Sequence, residues 1–180
     1  MTARPESDEH DPYYRKYIDR VPDGDIAATL ASQIENTLSF LRTESEENAG
    51  RAYAEGKWTI KQVLGHLIDT ERIFAYRALC IGRNDKTWLP GFEQDDYVAN
   101  ANFNARTLES FIEELASVRR ATVNLFKHFT GTDFLLIGDA AAAPFRRKSV
   151  PVQSLTWPRD MSCITWKSSK PAIFFAEFGV

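Results

Sequence analysis

Apolar residues recur at helical spacing three times along this chain, and then the rhythm stops. Asp25 is a good N-cap, and Ile26, Leu30, Ile34, Leu38 and Leu41 behind it form one stripe that predicts a first helix. The polar run from Thr43 to Asn48 ends or bends it, and Gly50 and Gly56 flank a linker containing Tyr53. A second helix starts at Thr59, which with Gln62 makes a capping-box pair able to satisfy free N–H groups of the first turn. Its buried face is read from Ile60, Val63, Leu64, Leu67, Phe74, Ala78 and Ile81, with Gly82 as the expected C-cap. A long connection from Arg83 to Asn104, containing Leu89-Pro90-Gly91-Phe92, has the length of a lid or binding edge. The third helix starts near Thr107. Leu108, Phe111, Ile112, Leu115, Val118, Thr122, Leu125, Phe126 and Phe129 carry its stripe to a stop at Thr130-Gly131.

Outside this core the pattern is different. Residues 1–24 read as an arm broken by Pro5, Pro12 and Pro22, with Tyr13, Tyr14, Tyr17 and Ile18 as apolar surface to lie along the body. After Ile137, four of the eight prolines (Pro144, Pro151, Pro158 and Pro171) are spaced so that no long helix survives. Trp157, Trp166, Phe174, Phe175 and Phe178 supply apolar surface there without a period. The expected organisation is an arm over 1–24, a three-helix bundle over 25–137, and an atypical tail over 138–180. Three helices leave a groove that a fourth would normally fill, and this sequence offers no good fourth helix.

Composition narrows the class. The 180 residues are 43% hydrophobic and 26% charged with a net charge of −3, the profile of one soluble domain with room for a core. That charge gives no footprint for nucleic acid, and no apolar run is long enough for a membrane span. The polar, acidic start is unlike a signal peptide, and Cys80 and Cys163 lie far apart, so a cytoplasmic setting is expected. Histidine is the scarce residue: only His10, His66 and His128 are present.

His66, in Gly65-His66-Leu67-Ile68-Asp69-Thr70-Glu71-Arg72, would project an imidazole from the second helix, a good ligand for zinc, nickel or iron. A single hydrogen-bonded core histidine is the commoner role at such spacing. Asp69 could orient the imidazole or carry surface charge, and Glu71 and Arg72 read by default as solvated helix charges. His10 sits in the acidic arm, and His128 near a helix C-terminus reads as structural or exposed. Cys80, in Ala78-Leu79-Cys80-Ile81, reads as a buried, inert thiol, and Cys163 has no nearby histidine. Arg146-Arg147-Lys148 reads as a solvated patch. No nucleophile elbow, phosphate-cradling glycine loop or Cys-x-x-Cys pair occurs.

Gly56-Lys57-Trp58-Thr59-Ile60-Lys61 followed by His66, Asp69, Thr70, Glu71 and Arg77 resembles the DinB-like superfamily, the damage-inducible or metal-dependent hydrolase group. Leu89-Pro90-Gly91-Phe92 with Asp95, Asp96 and Tyr97, and Arg119-Arg120-Ala121-Thr122, extend the resemblance over about Tyr13 to Ile137. It implies an all-α, up-down four-helix bundle, commonly a homodimer. It also implies a divalent metal (Zn, Ni or Fe) held by three histidines, with hydrolase or thiol-dependent transferase chemistry on a small thiol or other small molecule. The first metal ligand of that family matches His66. The other two, a His-x-x-x-His pair on the fourth helix, are missing, because no histidine follows His128. Expected for this chain is therefore an inactive form with an absent or irregular fourth helix. A non-catalytic helical binding or dimerisation module is the alternative.

The genetic code offers an account of the loss. Taking the third base of each codon with the next two, the stretch from Asp160 to Lys167 can spell His-Glu-Leu-His-His-Leu-Glu. Upstream, Trp157/Pro158 must give Ala and Arg159/Asp160 permits Gly, as a fourth helix of this family would need. A frame slip between about Gly138 and Pro151 is thus expected. The competing account is a genuinely divergent tail.

Overall fold

The computed structural model describes residues 15–142 and 146–151, together with Ser7 and Pro12. The helices are α1 (Arg15–Ile18), α2 (Ile26–Leu41), α3 (Glu46–Ala49), α4 (Ile60–Gly82), α5 (Gln94–Asn100), α6 (Leu108–Lys127) and α7 (Gly131–Phe134), with a 3-10 turn at Phe103–Ala105. Strands β1 (Ile137–Ala142) and β2 (Arg146–Pro151) follow as an antiparallel ribbon running from the Ile137–Pro151 pair to the Ala142–Arg146 pair.

The local signals for the long helices act as their chemistry dictates. Asp25 accepts the N–H of Ala28 and Thr107 that of Ser110, each removing an orphan donor from a first turn. At Thr59 the capping box is closed in both directions: the Gln62 N–H donates to Thr59 Oγ1 at 3.1 Å, and the Thr59 N–H to Gln62 Oε1 at 2.9 Å.

Two stacked apolar layers fix how these helices run. One layer joins the second half of α2 (Ile34, Leu38, Leu41) to the first halves of α4 and α6 (Leu64, Ile68, Leu108, Phe111). The other joins the first half of α2 (Ile26, Ala27, Leu30) to the far ends of α4 and α6 (Ala78, Ile81, Val123, Phe126), where Ile18 and Phe134 also pack. So α2 is antiparallel to both partners, and α4 and α6 point the same way. The helical bundle expected from the sequence is present, with this refinement of direction. Its cause is the connection after α4, which carries the chain back along the bundle before α6 begins. That connection is not bare loop, since it contains α5 and the 3-10 turn.

Glu46 marks the end where α4 and α6 both start. Its carboxylate pairs with the Lys61 ammonium on α4 and accepts the N–H of Leu108, the first residue of α6, at 2.8 Å. An acidic group at a helix N-terminus also suits the helix dipole.

Several expectations change here. Gly82 is the last residue of α4 and not a cap; a Cβ there would lie 2.7 Å from Phe129 Cζ. Arg83 is the cap, and the positive φ of 59° that ends the helix falls on Asn84, one of the few non-glycine residues suited to it. Glu71 is not a solvated charge: it is 1% exposed, sealed between helices. Cys80 is half-buried, not fully inside. The backbone of β1 and β2 occupies the start of the proline-rich region. The fourth-helix question itself falls on 152–180, outside the described residues, as do Tyr13, Tyr14 and His10 in the arm.

Candidate functional site

His66 lies in the second turn of α4 and is 2% exposed. Its imidazole packs on the Trp58 indole, ring centroids 5.2 Å apart and tilted by 54°. One turn further along, Thr70 Oγ1 stands 3.5 Å from His66 Nδ1, and Thr70 is itself 1% exposed. Thr70 reaches this nitrogen because residues i and i+4 share a helix face. Trp58 reaches the ring because it immediately precedes the Thr59 cap. Thr59 is held in turn by the 2.7 Å bond from its hydroxyl to Asn104 Oδ1.

Arg77 extends the same face. Eleven residues return a helix to within about 20° of its starting direction, so Arg77 sits three turns along from His66. It is 5% exposed and donates through Nη2 to the Pro90 carbonyl at 2.6 Å, its guanidinium 5.3 Å from the Phe74 ring. The sequence-stretch Leu89-Pro90 is therefore pinned to α4, with Leu89 buried in the core.

Glu71 points elsewhere. Five residues turn a helix by about 140°, which carries its side chain to the side of α4 facing α2 and α6. There its Oε1 accepts from Arg119 Nε at 2.8 Å, while Arg119 Nη1 also donates to the Leu30 carbonyl at 3.2 Å and Gln33 Oε1 at 3.1 Å. Of these, only Glu71 and Arg119 appear in the sequence motifs. No local spacing pairs them, because they stand 48 residues apart.

Asp69 is on the flank. Burial raises its carboxyl above the usual aspartate range, and the Arg72 guanidinium 3.8 Å away opposes that shift. Arg72 and Arg106 both pair with Glu114, linking α4 to α6 at the surface. Burial pushes the Glu114 carboxyl up, but bonds from Arg106 and Arg72 outweigh it and leave it lowered.

His66 is thus a buried imidazole with ordered neighbours, the form in which histidine ligates metals or simply packs. The donor set does not fit a three-imidazole centre. Among the described residues no group of three or more His, Cys, Asp or Glu side chains could hold a metal ion. His128 is exposed at the C-cap of α6, beside Phe126 and Phe129 in the far layer. By helix rise, roughly 20 Å of bundle separate that layer from His66. No helix among the described residues is long and apolar enough to cross a membrane.

Residues 16–156 match the DinB superfamily. No curated protein matches the chain. Among solved structures the fold is similar to YfiT from Bacillus subtilis, described as a probable metal-dependent hydrolase with an unusual four-helix bundle topology. That likeness has 12% identity and a TM-score of 0.60, covering 89% of this chain and 85% of that one. It is also similar to the mycothiol-dependent maleylpyruvate isomerase, at 13% identity and a TM-score of 0.57, covering 81% of this chain and 57% of that one. At such identities the likeness is one of fold.

Proposed function

Because this chain belongs to the DinB superfamily, we propose that its scaffold is that of a metal-dependent hydrolase or thiol-dependent transferase, and that the form read here is catalytically inactive. The observation that carries this reading is His66, a buried imidazole on α4 with no complete set of metal-binding partners among the described residues. The neighbours support the class: one is described as a metal-dependent hydrolase and the other as using mycothiol.

In the same reading, the gene slips frame between about Gly138 and Pro151, and the restored frame supplies two further histidines in a fourth helix. The substrate would be a small molecule, the thiol a small cofactor, the assembly a homodimer and the setting cytoplasmic. Two measurements test this. Sequencing the gene should reveal the histidine codons in the shifted frame; their absence ends the frame-slip account. The restored protein should then purify with divalent metal and show thiol transfer or hydrolysis that chelation abolishes, while the chain as read shows neither.

A second reading, a non-catalytic binding or dimerisation module, is favoured by Tyr76 and Leu79, exposed at 59% and 39% on neighbouring turns of α4. It predicts that restoring the histidines changes assembly or stability and produces no chemistry.

A further inference from the structure

We infer that His66 serves in this chain as a packing element that holds the start of α4, and not as a metal ligand. This rests on the reading above only for the missing partner imidazoles. The rest is geometry. Trp58 lies just before the α4 cap, at the point where the chain turns from the linker into the helix. It is half-buried, and the His66 ring two turns into the helix is a surface against it. A side chain preceding an N-cap commonly packs on the first turns of its helix and fixes the angle at which the chain arrives. Val63 holds the position that such a contact usually uses, and the His66 imidazole adds a second surface one turn further along.

This junction matters beyond α4. Thr59 binds Asn104, Lys61 binds Glu46, and Glu46 binds the start of α6. A loosened Trp58 would therefore disturb the end of the bundle where α3, α4 and α6 meet. Flat rings should serve at position 66 as well as imidazole does, and metal should be irrelevant.

The test uses the full chain as read, purified with chelator and dialysed. Thermal melts are recorded for the native chain, His66→Phe, His66→Ala and Trp58→Ala, each with and without excess zinc or nickel chloride. Expected is a Tm close to native for His66→Phe, a clear loss for His66→Ala and Trp58→Ala, and no metal-dependent rise that depends on residue 66. Non-additivity in the His66→Ala/Trp58→Ala double variant would place the two rings in one contact even if His66→Phe folds poorly. A saturable rise with zinc or nickel in the native chain that His66→Phe removes overturns the inference, as does strict additivity of the two alanine variants. The frame-restored protein separates the two claims. If it fails to bind metal while the chain as read behaves as expected, the functional reading fails and the packing role stands.

Discussion

Glu71 and Arg119 form a 2.8 Å ion pair at the centre of the bundle, their side chains 1% and 5% exposed. The guanidinium joins α4 and α6 through Glu71 and reaches α2 through the Leu30 carbonyl and Gln33, so one cation touches all three long helices. Glu71 Oε2 is buried without a hydrogen-bond partner among the described residues, so the pair is imperfectly compensated by them. Removing one partner should strand a buried charge and cost about 3–5 kcal/mol, whereas replacing both with apolar groups of similar volume should be near neutral. Urea unfolding of Glu71→Leu, Arg119→Met and the double variant checks this. A double variant far less stable than the native chain would show that the pair is a net stabiliser.

Gly65 is fitted to Phe103: a Cβ at position 65 would lie 2.4 Å from Phe103 Cε1. Phe103 is itself buried and in edge contact with Phe111, ring centroids 5.9 Å apart, so it has little room to retreat. Gly65→Ala should destabilise by about 1–3 kcal/mol through overpacking, despite alanine's better helix propensity. Pairing it with Phe103→Leu should recover part of the loss in the same denaturation assay. If Gly65→Ala alone is stabilising, the contact is softer than the geometry states.

Glu46 ties acid stability to the shared end of α4 and α6. The bond from Lys61 and the N–H of Leu108 hold its carboxyl below the usual glutamate range. A native value below the unfolded one means the stabilisation is complete above the ordinary glutamate range and is lost as pH falls through the native value. Melting the native chain and Glu46→Gln between neutral and acid pH should therefore show a gap that is widest at neutral pH and closes in acid. A gap independent of pH would sink the assignment.

Thr59 both caps α4 and donates to Asn104. Thr59→Ala should cost about 1 kcal/mol from the cap, with Thr59→Asp recovering most of that part. Asn104→Ala should account for what the aspartate does not restore. Chemical denaturation of the three variants apportions the two bonds.

What could be read from the sequence was what is local in the chain. The stripes of α2, α4 and α6, the caps at Asp25 and Thr59 and the start near Thr107 depend on neighbours within one or two turns, and they stand as expected. Glu71 was opaque for the opposite reason: by itself it reads as a surface charge, and only Arg119, brought close by the bundle, makes its burial tolerable. Gly82 resembles a cap until Phe129 is placed against it. Similarly, the common direction of α4 and α6 is set by what the connecting chain does in space, which no periodicity records. At the candidate site, the position of His66 was legible from its motif. Its packing on Trp58 was not, since the two stand eight positions apart, on either side of the helix cap.

The common direction of α4 and α6 also bears on how quickly this bundle assembles. Helices joined head to tail by short turns can zip from local contacts, whereas these two meet only after the chain has doubled back. The Glu71–Arg119 bond closes a span of 48 residues, and the Glu46–Leu108 bond one of 62. Loop-closure entropy must be met before such contacts return any stabilisation, so folding should be slower than for an alternating bundle of equal length and stability. Until α6 arrives, α2 and α4 expose the apolar faces that it will cover, and the time spent in that state is a property of the connectivity and not of the core.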